Sequence, residues 1–215
     1  MIIQTLRACF ILSSFSIFIS LHISGQPIVK NYEKGPIASG WKQVDAFIKK
    51  DLPKSALEQV KKIYQLAKRE KQDAQIIKAL VYMIGLQDEI SENSESKAMA
   101  DMEKEISEAG EPSKSILKSL LAEMYWNYYQ QHRWQLYQRT NTLPMAIGIK
   151  KDDIATWTAE DFHRKISELY LQSIKNSSIL QQTSLKGYDV IIVKGNVRHL
   201  RPTLFDLLAH RALNY

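Results

Sequence analysis

The chain has 215 residues, of which 45% are hydrophobic and 24% charged, with a formal net charge of +6. That is the composition of a globular protein long enough for a sizeable core, not of a disordered or collagen-like chain. Eight glycines and six prolines favour helices over turn-rich sheets, and the basic residues are interspersed with Glu and Asp as in KKIYQLAKREKQDAQ. No clustered basic face of the kind nucleic-acid binding requires is visible, so nucleic acid is not an expected partner.

Residues 1–25, MIIQTLRACFILSSFSIFISLHISG, carry one early positive charge at Arg7, an apolar run to Ile23, then the small residues Ser24 and Gly25. This is the layout of a secretory signal peptide cleaved after Gly25; a retained membrane anchor is the rival reading. An exported protein of the periplasm, cell surface or medium follows, with no stable membrane span after cleavage. Cys9 is the only cysteine. It precedes the apolar run, which argues against a lipoprotein anchor, and leaves the mature part without disulfide, zinc-thiolate site or thiol nucleophile. Without Arg7 the mature part carries 28 basic and 23 acidic residues, a net +5, enough for weak attraction to acidic surfaces only.

Residues 26–40 contain Pro27, Gly35 and Pro36 without periodicity and read as a flexible leader. The folded domain is expected over 41–215 and in the all-α class. Trp41, Val44, Phe47 and Ile48 stripe a first helix over 41–50, which Leu52-Pro53 breaks. A second helix, 54–70, places Ala56, Leu57, Val60, Tyr64 and Ala67 on one face. Ala98, Met99, Met102, Ile106 and Ala109 recur at the same offsets over 96–109. Their partners, Ile76, Ile77, Leu80, Val81 and Ile84, match Ile116, Leu117, Leu120, Leu121 and Met124. Phe162, Ile166 and Tyr170 with Leu204, Phe205, Leu208 and Ala209 suggest a third pair. Antiparallel helix pairs in units of about 40 residues resemble a tetratricopeptide-like superhelix, although any amphipathic helices share such offsets.

The longest uninterrupted stretch is Ser113 to Arg139, opened by Pro112 and free of Gly and Pro. Tyr125, Trp126, Tyr128, Tyr129, Trp134 and Tyr137 surround the cylinder that Leu120, Leu121 and Met124 begin, so it reads as a central helix covered on several sides. Trp126, Leu120, Leu121, Met124 and Tyr128 are its expected core residues. A polar turn at 91–96 and a loop at 142–151 punctuate the chain. Asp152, Asp153, Thr156 and Thr158 offer caps for a helix running to Lys175, and Thr203 caps a last one. Between these two helices, DVIIV (189–193) has the β-branched character of a single strand or buried extended segment. The last helix carries no stop signal before Tyr215, so the domain is expected to be the amino-terminal piece of something longer, with an apolar patch at Leu204, Leu207 and Leu208.

Chemistry-bearing motifs are scarce. The sequence contains no G-x-x-x-x-G-K-[ST], G-x-G-x-x-G or G-x-S-x-G. Its five histidines are scattered, none paired at i,i+4. Asp152-Asp153 and Glu160-Asp161 suit helix starts, where each acid contributes about 0.3–1 kcal/mol. No cofactor, metal or catalytic residue is expected. The remaining candidate is KGNVRHLR (194–201), where Lys194, Arg198 and Arg201 suit anion binding, docking of an acidic neighbour, or bonds to helix carboxyl ends.

Three motifs together, LPKSALEQVKKIYQLAKRE (52–70), SLLAEMYWNYYQQHRW (119–134) and ISELYLQSI…VKGNVRHLRPTLFDLLAHRAL (166–213), resemble the amino-terminal region of bacterial alpha-2-macroglobulin family proteins of the Bacteroidetes type. The resemblance implies a large exported protease trap whose further domains, bait region and, in many members, thioester lie outside this chain. Its partners would then be the remaining domains of the same polypeptide and, through them, proteases. A stand-alone periplasmic helical-repeat adaptor for peptides or partner proteins is the alternative.

Overall fold

The computed structural model describes residues 35–91, 94–140, 154–192 and 200–215. The expected signal peptide, most of the leader, Asp152, Asp153, Lys194 and Arg198 lie outside the described residues. Among those described are eight α-helices and no β-strand: α1 (Pro36–Lys49), α2 (Pro53–Glu70), α3 (Asp73–Ile90), α4 (Glu95–Glu108), α5 (Ser113–Thr140), α6 (Ala159–Ser173), α7 (Ser177–Gln182) and α8 (Leu204–Leu213). The fold is all-α. The described residues divide into two compact units, one formed by those within 35–94 and 185–200, the other by those within 95–184 and 201–215.

In the first unit α2 packs against both α1 and α3. Helix α1 starts at Pro36, earlier than the boundary at 41 read from the sequence. Pro36 does not break the chain; it occupies the first helical turn, where a missing N–H costs nothing, and Ile37, Ala38 and Gly40 behind it are buried. Gly40 lets the two helices approach: a Cβ there would lie 2.9 Å from Ile63 Cγ1. The core is Trp41, Val44, Ala56, Leu57, Val60, Ile63, Ala67, Ala79 and Leu86 with Ile37.

Both α1 and α2 end in the same way. Asp51 and Lys71 adopt positive φ, 54° and 53°. The next amide reaches back five residues, Leu52 to the Phe47 carbonyl at 3.0 Å and Gln72 to that of Ala67 at 2.9 Å. This is the Schellman closure, normally made with glycine.

In the second unit α5 is the hub, touching α4, α6 and α8. Thr158 and Thr203 cap α6 and α8, each accepting from the amide three residues on and each answered by that residue's carboxylate, Asp161 and Asp206. These are capping boxes with Asp at the third position. The chain returns to this unit through an antiparallel bridge between Ser184 and Thr203, with the Leu204 amide donating to the Thr183 carbonyl at 2.9 Å.

Two expectations are corrected. The described part of DVIIV, residues 189–192, is turn and bend, with the Ile191 amide closing on the Tyr188 carbonyl at 2.9 Å. A β-branched run with no sheet edge beside it satisfies its backbone locally instead. The patch expected at Leu204, Leu207 and Leu208 is also absent as such: Leu204 and Leu208 are buried and Leu207 half-buried, because α8 packs on α5, α6 and α7.

Candidate functional site

The densest chemistry of the first unit lies between α1 and α3. Gln75, Lys78 and Tyr82 recur at i, i+3 and i+7, so all three project from one stripe of α3. Trp41 from α1 fills the space they leave and is 1% exposed. Its indole Nε1 donates to Gln75 Oε1 at 2.7 Å. The Tyr82 ring meets it edge-on with centroids 4.8 Å apart. The Lys78 ammonium stands 4.1 Å from the Trp41 ring centroid and 5.7 Å from that of Tyr82.

Asp45, one helical turn beyond Trp41, supplies the opposing charge. Burial pulls the Lys78 amine down to about 8, with Asp45 acting against the shift. Burial, and then Asp45, push the Tyr82 hydroxyl up to about 12. Loss of hydration penalises the charged form of each group, so amine and phenol move in opposite directions.

In the second unit the buried polar centre is Arg211 on α8. Its Nε donates to the Ser119 hydroxyl at 2.8 Å and its terminal nitrogen to the Ser119 carbonyl at 3.2 Å and Glu123 at 2.8 Å. A hydroxyl and a carboxylate one turn apart on α5 thus share one guanidinium. Beside α6, the Tyr125 hydroxyl donates to Glu103 at 3.2 Å, and Lys165 pairs with the same carboxylate at 3.0 Å. Tyr125 also stacks on Trp157 with centroids 5.3 Å apart.

The residues singled out from sequence are distributed as follows. Leu120, Leu121 and Met124 are buried. Trp126 and Tyr128 are half-buried, which corrects their placement as core. Trp126 belongs to a cluster at the surface of its unit, with centroids 5.7 Å from Tyr129, 5.9 Å from His163 and 5.2 Å from Tyr215. His163 bonds the Tyr215 hydroxyl through Nδ1. Tyr128 stacks on Phe162 and on His132.

Trp134, expected to be covered, is 71% exposed with the Arg133 guanidinium 5.7 Å from its ring. Helix α6 runs back along α5 from Ala159, and Phe162 already meets Tyr129, so Trp134 lies past the end of that cover. Arg201 is half-buried; Lys194 and Arg198 lie outside the described residues. Of the acidic pair at 160–161, Asp161 closes the capping box and pairs with Arg164.

Sequence reading missed the Lys78 cluster and the Arg211 pair. In the sequence only the i+4 relation of Lys78 to Tyr82 points to the cluster. Among the described residues no group of three or more His, Cys, Asp or Glu could hold a metal ion. No described helix is long and apolar enough to cross a membrane.

Fold and site together define an all-α protein whose buried polar side chains tie helices to one another. Comparison with protein-family models, curated proteins and solved structures finds no match.

Proposed function

We propose that the chain is a non-catalytic helical module of an exported alpha-2-macroglobulin-like protein, serving to pack against or dock the rest of that molecule, which as a whole would trap endopeptidases. The observation that supports this best is the use made of buried charge: Arg211 holds α8 to α5 and Asp161 holds the start of α6. Charged groups engaged inside the fold suit a scaffold better than a reaction centre, where titratable groups face a cleft. The pairs α2–α3 and α4–α5 would be two copies of one tetratricopeptide-like unit, as their shared apolar offsets suggest.

The stand-alone adaptor reading draws on a different feature. Exposed Trp134, with Arg133 beside it, is the kind of aromatic and cationic contact that anchors partner proteins.

One experiment separates the two. The polypeptide encoded downstream of Tyr215 in the same reading frame is purified and titrated into the mature chain by calorimetry. Binding by a β-rich downstream product supports the module. A frame that stops, or a product that does not bind, removes it and leaves the adaptor, which then requires Trp134→Ala to weaken peptide or protein binding.

A further inference from the structure

We propose that Lys78 is a covalent modification site, an amine that small acyl electrophiles such as acyl phosphates modify ahead of the exposed lysines of the same unit. The geometry points to it. One side of the nitrogen is walled by the Trp41 ring at 4.1 Å and another by Tyr82 at 5.7 Å, and Trp41 is itself sealed at 1% exposure. An ammonium held there cannot keep a full hydration shell, and a desolvated lysine gives up its proton more readily than one in water.

The Asp45 carboxylate and the ring faces of Trp41 and Tyr82 favour the charged form, and they offset that loss only in part. With the amine lowered to about 8, about a tenth of it is neutral at pH 7, against a few parts in ten thousand for an ordinary lysine. The residue as a whole is half-buried, so part of its surface stays in solvent.

The step is an ordinary acyl transfer. The amine lone pair attacks the acyl carbon, the bond from that carbon to the phosphate oxygen breaks, and inorganic phosphate leaves. The nitrogen then releases its proton to solvent, leaving an amide. The product carries no charge, so the cation–π contact with Trp41 and the attraction to Asp45 are lost together.

The test uses the full mature chain and acetyl phosphate at pH 7.5, with timed quenching and peptide mass spectrometry. Lys78 is expected to acetylate about tenfold faster than the exposed Lys42, Lys54 and Lys62. A rate equal to or below theirs overturns the proposal. In Asp45→Asn, with an unchanged circular dichroism spectrum, the Lys78 rate should rise further while that of Lys54 stays constant. An unchanged or reduced Lys78 rate in that variant also overturns it, because the countercharge would then not be setting the amine.

Discussion

Arg211 and Glu123, 88 residues apart in the chain, form an ion pair at 2.8 Å with 6% and 12% of their side chains exposed. Such a pair gains little over a well-packed apolar substitute, but losing one partner strands a charge out of water. Arg211→Met is therefore expected to destabilise the second unit by about 3–5 kcal/mol, and Arg211→Met with Glu123→Leu to recover much of that loss. Urea unfolding of the two variants measures the difference; equal losses would mean that Glu123 is not held by Arg211.

The two tryptophans of greatest interest should respond differently. Trp41 is enclosed, so Trp41→Ala should cost about 3–5 kcal/mol. Trp126→Ala, at a half-buried ring, should cost clearly less. Gln75→Ala leaves the buried indole N–H without its acceptor and should cost about 1–3 kcal/mol. Chemical denaturation of the three variants gives the order, and a Trp126 loss as large as that of Trp41 would contradict it.

Lys71 holds a conformation that suits glycine. Its side chain is exposed and its φ is 53°, so Lys71→Gly removes the steric cost of the left-handed region without removing a packed group. A gain of about 1 kcal/mol is expected. Asp51→Gly should gain less, since aspartate tolerates that region better than lysine does. Thermal melts of the two variants check both values.

The Lys78 cluster makes stability depend on pH in a defined window. The amine is lowered in the folded state from 10.5 to about 8, so between those values the unfolded chain binds more protons and stability rises with pH. Tyr82 is raised from 10.0 to about 12, so its contribution is present below pH 10 and lost as pH climbs towards 12. The first unit should gain stability from pH 8 to about pH 10 and lose it above. Lys78→Met should abolish the rise and keep the fall, as unfolding midpoints across that range would show.

Much of the helix layout was legible in advance. The expected spans 54–70, 96–109 and 113–139 lie within a residue of α2, α4 and α5 at each end, because Pro53, Gly110 and Pro112 act on backbone groups a few positions away. The start of α1 lies ahead of its sequence boundary for a related reason: a Gly-Pro step ends one element or opens another with the same residues, and burial of Ile37 and Ala38 decides which. DVIIV failed because β-propensity expresses itself only where a neighbouring strand exists.

By itself the sequence determined the all-α class, the Thr203 cap and most helix boundaries, since these follow from hydrogen bonds and apolar spacing within about one turn. It also placed aromatic rings around α5. Which tryptophan is sealed, where Arg211 finds its carboxylate, and how Lys78 comes to lie over Trp41 were decided only by the tertiary structure. Those outcomes rest on contacts across 34 to 92 positions, and exposure and charge pairing at such separations depend on how whole helices pack, which local spacing does not encode.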